Sequence, residues 1–408
     1  MRTHAYHAVA FIVFLSTAVA VAQTAEGLQE GEALYKEVSM QNLNIHWDIP
    51  IVDKAGIGLP LKYALHFNNN FYHVGYSDQT GLYWWTIDDT FGSSAHGWQA
   101  NYDSAVAGQF QSSLGNCANK SDLYTIYTSY QDSQGNVHPF PYNGGYGYRV
   151  SDVSTATCVP ASLDILLNDN SGMTVHLKGG VTGLHSTVQF RDGSIGTPAD
   201  QTGFPTLSDV NGNSITTLSG QVIKDTLGVN EITVSGNDAT YTYPTATGTA
   251  TVTMSYKSYA VQTAFGCAEP PELSISSASF VDSIQLGDGS TYSFTYESQV
   301  PGTVTGRLAS IKLPTGGTIS YAYTGPNNGI NCYDGTTMGL TRTTSDGTWT
   351  FTRSADGFST TVTGPPPANN QSAYTFTAIG PGVPPFVAQR VVKGQQYCAE
   401  DRGDLLQQ

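Results

Sequence analysis

The residue types that carry most enzyme chemistry occur in this chain, but not at the spacings that chemistry needs. No G-x-S-x-G turn presents a nucleophilic serine, and no H-E-x-x-H sets two zinc ligands on a helix. His46, His66, His73, His96, His138, His176 and His185 stand singly along the chain. The five cysteines (Cys117, Cys158, Cys267, Cys332 and Cys398) include no C-x-x-C and no Cys/His cluster, so a zinc site is not expected from them. Gly-rich turns lead from strand to strand and lack the helix N-terminus of a phosphate cradle. Between Val38 and Tyr397 the only glutamates are Glu231, Glu269, Glu272 and Glu297. A glycosidase's carboxylate pair forms in space, so sequence alone does not remove that reaction class. The expectation is no catalytic residue, no cofactor-binding residue and no metal ligand.

Two stretches carry binding chemistry instead. Asp209-Val210-Asn211-Gly212-Asn213 has the oxygen-rich start of a calcium loop, but Gly220 stands where an EF-hand needs its bidentate Glu. It therefore reads as a turn, with calcium the one cation it would suit. Tyr83, Trp84 and Trp85, with Trp98 and Tyr102 nearby, offer ring faces on which a sugar would stack, in competition with core packing. Adjacent Trp84 and Trp85 point to opposite faces of a strand, so at most one is core. Trp84, Trp85 and Trp98 are the candidate glycan contacts.

The elements that must position these groups are strands. Of 408 residues, 39% are hydrophobic, 11% aromatic and only 12% charged, with 44 Gly, 19 Pro and 24 Tyr, a composition of turns and strands. A net charge of −15 opposes phosphate backbones, which excludes nucleic acid as a partner. Arg2, His4 and His7 precede an apolar run from Ala8 to Val21 that ends in Ala20-Val21-Ala22. This reads as a secretory signal peptide over residues 1–22, too short for a spanning helix, and it predicts an extracellular or cell-surface protein without a membrane span after cleavage. Export permits disulfides. Cys117–Cys158 and Cys267–Cys332 are the preferred pairs among the fifteen arrangements that two bridges on five cysteines allow, which leaves Cys398 over.

Asn42 to Ile51 and Leu59 to Phe67 alternate apolar and polar residues around a Gly-containing turn and read as a hairpin. Residues 81–87 and 122–130 are further strands, and Asp88 to Asn119 reads as a long loop. Strands follow at 162–167, 173–178, 186–190, 214–218, 221–226, 230–235, 239–243 and 249–261, with turns every 8–12 residues or so. No segment of ten or more residues has a helical period. An internal repeat then appears. Residues 283–296 (SIQLGDGSTYSFTY) and 310–323 (SIKLPTGGTISYAY) agree at seven of fourteen positions, and Asp346 to Thr352 is a third, shorter copy. Tyr292, Phe294 and Tyr296 share one face, as do Ile319, Tyr321 and Tyr323, with Thr and Ser opposite. A lone hairpin cannot bury such a face, so successive hairpins must pair edge to edge.

Tyr296-Glu297 followed by Gly306-Arg307-Leu308-Ala309-Ser310-Ile311 resembles the tyrosine-acidic and G-R-L-x-x-I halves of a YD repeat, with an insertion between them. Leu313 to Gly339, the following GLTRTTSDGTWTFTR, and the opening VSMQNLNIHWDIPIVDKAGIGLPLKYALHFNN are similar to the segments that lead into Rhs/YD-repeat arrays of secreted bacterial proteins. That resemblance implies an all-β fold of successive antiparallel hairpins in an extended curved sheet, a partial shell, preceded by an N-terminal β region. The divisions are 1–22 for the signal, 23–270 for the N-terminal β-rich region and 271–408 for the repeat-like region. With about three repeat units, the chain reads as a short or truncated member. The implied role is a non-catalytic surface scaffold or part of a toxin-enclosing shell. Its partners would be surface proteins, glycans or the rest of a YD array. A carbohydrate-binding module and a secreted hydrolase of unrecognised type are the alternatives.

Overall fold

The structure, a computed structural model, describes residues 37–377 apart from short internal stretches, the longest being 88–96, 100–108 and 152–161, together with the strands Phe386–Val392 and Gln395–Cys398. The signal segment, Tyr102 and the Cys117–Cys158 pair lie outside the described residues, and so does the side chain of Cys398.

The chain is all-β. From Ser162–Leu166 to Gln395–Cys398, twenty strands form one antiparallel sheet, and each pairs with its neighbours in sequence. The order is linear, and no pairing among the described residues closes the first strand onto the last. Three smaller sheets precede it. His46–Lys54, Leu61–Asn68 and Trp98–Gln99 make one, Tyr72–Tyr76 and Tyr83–Ile87 a second. Gln109–Asn116, Leu123–Gln131, Val137–Pro139 and Tyr148–Ser151 make the third.

The two long repeat copies fold identically. Ser283 opposes Ser293 and Ile284 opposes Tyr292; 27 residues on, Ser310 opposes Ser320 and Ile311 opposes Ile319. Their turns also match. Leu286 N–H donates to Ser290 O (2.8 Å) and Gly289 N–H to Leu286 O (2.9 Å), while Leu313 and Gly316 repeat both bonds at 2.8 and 2.9 Å. Gly289 and Gly316 sit at φ 85° and 89°, the left-handed region that a five-residue turn of this kind requires at its fourth position. The same turn recurs at 190–194, 209–213 and 225–229, so the hairpin unit extends well before the sequence repeat. The third copy differs: Thr344 pairs Gly347 across a two-residue turn, Ser345-Asp346.

Aspartates preorganise several of these turns. Asp288 Oδ1 accepts from Ser290 Oγ (2.6 Å) and N–H (2.9 Å), and Asp356 Oδ1 from Ser354 Oγ (2.5 Å) and Phe358 N–H (3.0 Å). Asp209 accepts from the Asn213 side chain (2.7 Å) and from the N–H groups of Asn213 and Asn211 (both 2.9 Å). Bonds from Asn213 to Asp209, from Ser290 to Asp288 and from Ser354 to Asp356 hold these three carboxyls below the usual range. A folded pKa below the unfolded one stabilises the fold above the unfolded value, near 4, and that contribution disappears as pH falls through the folded value. Melting temperature is therefore expected to stay level down to about pH 5 and to drop below it. The double variant Asp209→Asn/Asp288→Asn should flatten the drop, and an unchanged acid profile in that variant would refute the attribution.

Alternation places apolar side chains on one face of the long sheet. Tyr241, Val252, Ile284, Phe294, Ile311, Tyr321, Leu340 and Phe351 are buried, and Thr295, Ser310, Thr343 and Thr348 pair through their hydroxyls on the other face. An apolar sheet face must be covered by a second layer. The N-terminal hairpin covers it. Ile45, Leu65 and Phe67 are fully buried, Tyr63 lies 5.8 Å from Tyr241, and Trp98 sits edge-on to Phe294 at 4.9 Å. Polar bonds pin the same layer. Asn69 Oδ1 accepts from Leu308 N–H (2.9 Å), Trp47 Nε1–H donates to Tyr321 (3.1 Å), and Thr360 Oγ1–H donates to Met40 O (2.7 Å). The Gln109–Ser151 sheet packs on the start of the long sheet, with Tyr127, Tyr130, Phe140 and Val150 against Ile165, Val175, Leu177 and Val188.

Two sequence expectations are refined. The stretch read as a loop, Asp88 to Asn119, contains Trp98–Gln99 and Gln109–Asn116. The first is a two-residue pairing held by a buried indole, and the second is a Gln/Ser-rich strand with a bulge at Gln111/Ser112, so neither has clear alternation. The boundary at 270/271 falls between Gly248–Gln262 and Ser274–Gln285, which pair with each other, so the long sheet runs through it.

Candidate functional site

The candidate glycan residues divide by burial. Trp85 and Trp98 are core, 4% and 1% exposed, whereas Trp84 is 40% exposed. Trp85 packs with Tyr72 and Phe265 at 5.9 and 5.5 Å, and Trp98 lies between Phe67 and Phe294. The opposed faces of adjacent strand positions explain why Trp84 and Trp85 separate. Trp84 pairs across the hairpin with Gly75, where a Cβ would come within 2.4 Å of the indole. The ring is thereby seated on bare backbone, while exposed Tyr83, its neighbour in the strand, occupies the opposite face. Of the three candidates Trp84 alone is exposed, and Trp85 and Trp98 are withdrawn into the core.

The stretch 209–213, weighed as a calcium loop, is a hairpin turn whose Asp209 carboxylate is engaged by the turn itself. Gly58 also packs against it: a Cβ there would fall 1.9 Å from Asp209 Oδ2.

The two halves of the YD-like motif meet. Glu297 and Arg307 form a fork, Nε to Oε2 at 2.8 Å and Nη2 to Oε1 at 2.9 Å. Arg307 is 2% exposed, also donates to Asn328 O (2.9 Å), and stacks over Tyr323 and Phe265 at 3.9 and 4.9 Å. Cys267 and Cys332 are bonded, as expected, beside the cluster of Phe71, Tyr72, Trp85, Phe265 and Ile330.

Two further polar clusters were not legible in the sequence. Lys54 bridges buried Asp225 (3.1 Å) and Glu231, which ties the first hairpin to the long sheet. Asp225 Oδ1 also caps its own turn through Leu227 and Val229 N–H, both 2.9 Å, so these acids are engaged structurally. The second cluster lies on the first hairpin. Asp48 opposes His66 in register and His46 opposes Asn68, which brings His46, Asp48 and His66 to one face. Asp48 Oδ1 lies 2.8 Å from His46 Nε2 and 2.6 Å from His66 Nδ1. Burial opposes the Asp48 charge, but the bonds and charges of both imidazoles outweigh it and hold the carboxyl well below the usual range. Burial likewise lowers the His46 pKa, and the Asp48 bond and charge, an Asn68 bond and the Asp132 charge together leave it raised. Their donor atoms lie within 4.8 Å of one another, and the three form the group of possible metal ligands among the described residues. No described helix is long and apolar enough to cross a membrane. Compared with known proteins, the chain matches no family model and no curated protein.

Proposed function

We propose that this chain is a non-catalytic, exported β-structural scaffold of the Rhs/YD-repeat type, working at the cell surface through its sheet or as part of a shell around a toxin. The observation that carries this reading is the unbroken succession of hairpins, two of which repeat the same register and turn 27 residues apart. The fork between half-buried Glu297 and buried Arg307 supports it, because it joins the acidic and G-R-L halves of the motif. Extended pairing with an aromatic face under a covering hairpin produces a stiff surface, and stiffness is what a scaffold must supply. The full chain, secreted from a bacterial host, is expected to lose residues 1–22 and to turn over no polysaccharide or peptide substrate. Turnover abolished by a single Asp or Glu substitution would overturn the proposal.

Glycan binding is the second reading, favoured by the seating of exposed Trp84 on Gly75. In the same screen, retention on an immobilised polysaccharide that Trp84→Ala abolishes would make recognition, and not stiffness alone, the function.

A further inference from the structure

Three side chains separated by as much as twenty positions converge because of strand register. His46 and Asp48 occupy alternate positions of one strand and so share a face, and His66 is the direct cross-strand partner of Asp48. Two imidazole nitrogens and one carboxylate oxygen therefore point at a common volume, with ligand atoms within 4.8 Å of one another and the two rings stacked at 6.0 Å between centroids. We propose that His46 Nε2, Asp48 and His66 Nδ1 form a binding site for a divalent transition-metal ion of the zinc class.

The donor set chooses the ion. Two imidazoles with one carboxylate suit Zn²⁺, Co²⁺, Ni²⁺ and Cu²⁺, whereas Ca²⁺ and Mg²⁺ require oxygen cages. The geometry is close to what such an ion needs. Zinc–nitrogen and zinc–oxygen bonds of about 2.0–2.1 Å in a tetrahedron separate ligand atoms by about 3.3–3.4 Å. The present separations of 2.8 and 2.6 Å on Asp48 have to open by about 0.5–0.8 Å to reach that spacing, and the two imidazole nitrogens start within 4.8 Å of each other. An ionised carboxylate only accepts hydrogen bonds, so each of those nitrogens now carries a proton toward Asp48. Binding requires that proton to leave or to move to the far ring nitrogen, so that a lone pair faces the ion.

The surroundings orient the ligands. Asn68 hydrogen-bonds the His46 side chain and is itself held by the Asn44 side chain, which also accepts from Asn69 N–H at 2.9 Å. Outer partners of this kind fix the ring orientation of metal-bound histidines. The site is reachable: the side chains of His46 and Asp48 are 25% and 27% exposed, and His66 is 9% exposed. Three protein ligands leave a fourth position for water or a carboxylate, and the Asp132 charge already acts on His46. The site spans the two strands of the hairpin that covers the long sheet, so an ion there would clamp the covering layer.

The test uses the full chain without an affinity tag, stripped with a chelator and then dialysed against limiting Zn²⁺ or Co²⁺. One ion per chain is expected, with a visible Co²⁺ ligand-field band of tetrahedral type and a rise in melting temperature with Zn²⁺. His46→Gln and His66→Gln should each weaken binding by about 100-fold or more. His176→Gln, which removes a separate His–Asp pair at 2.8 Å, should leave it unchanged. Half-exposed His46 keeps the test decisive if the buried His66 variant fails to fold. Absence of stoichiometric Zn²⁺ or Co²⁺ binding, equal affinity in His46→Gln, or displacement by equimolar Ca²⁺ would overturn the proposal.

Discussion

Replacing Arg307 by Met is expected to destabilise the chain by about 3 kcal/mol, the low end of the cost of breaking a buried ion pair from one side, because Arg307 is buried while the Glu297 side chain is 19% exposed. Arg307 is 2% exposed and serves five partners at once: the Glu297 fork, the Asn328 and Gly329 carbonyls and the faces of Tyr323 and Phe265. Methionine of similar length fills part of the volume but leaves Glu297 with only Thr305 Oγ1 (2.8 Å) and Gln299 (3.3 Å) as side-chain partners. The penalty comes mainly from that orphaned charge, not from lost packing. A second substitution, Glu297→Leu, on the Arg307→Met background should therefore recover much of the loss, because two apolar groups of similar volume often match a buried pair. Urea unfolding of the four members of this cycle measures it, with the midpoint moving at constant slope. A single-variant loss below about 1 kcal/mol would put the pair among surface bridges and remove it as the keystone of the motif.

The double variant Cys267→Ala/Cys332→Ala is expected to lose on the order of 4 kcal/mol, from the unfolded-chain entropy of closing a loop with a sequence separation of 65. The bond crosses from the loop after Gly248–Gln262 to the segment after Pro326–Gly329, and Cys267 packs beside Phe265 and Ile330. Several strands lie between its ends, so the crosslink restrains a long unfolded segment while the native contacts around it are apolar. Double substitution, not reductant, isolates this bond from the other cysteines. Equal unfolding midpoints for parent and variant would mean that Phe265 and Ile330 already hold the two segments together without it.

Much of the architecture was legible. The 162–167 and 173–178 segments and the aromatic faces of 292–296 and 319–323 lie where alternation placed them, because a two-residue period is a local property of a half-buried strand. The first hairpin pairs as expected, but its first strand runs His46–Lys54, and Leu43, at φ 52°, belongs to the turn before it. The repeat was legible only in part. Its strands diverge before residue 283, yet the turns at 190–194, 209–213 and 225–229 keep the Gly at the fourth of five positions. That glycine was the available signal, since the φ it adopts is costly for other residues. Trp98–Gln99 and Gln109–Asn116 escaped because buried anchoring and a bulge replace alternation there.

The His46–Asp48–His66 cluster and the Lys54–Asp225–Glu231 bridge had no such signal. His66 reaches Asp48 only because the hairpin loop and the irregularity at Pro50/Val52 set one register, and a slip of one residue would turn His66 to the other face. Lys54 meets acids more than 170 positions away.

By itself the sequence determined the strand-and-turn composition, the segregation of aromatic and hydroxyl faces and the repeated hairpin, while the Cys267–Cys332 bond was one preference among several pairings until the structure joined them. Only the tertiary structure decided which faces meet: that the first hairpin covers the long sheet, that Trp85 and Trp98 are core while Trp84 is outside, and that two histidines and an aspartate share one volume. The reason is physical. Alternation states that a face is apolar without naming its cover, and the cover is chosen by contacts such as Asn69–Leu308 and Met40–Thr360, whose sequence separations leave no local trace.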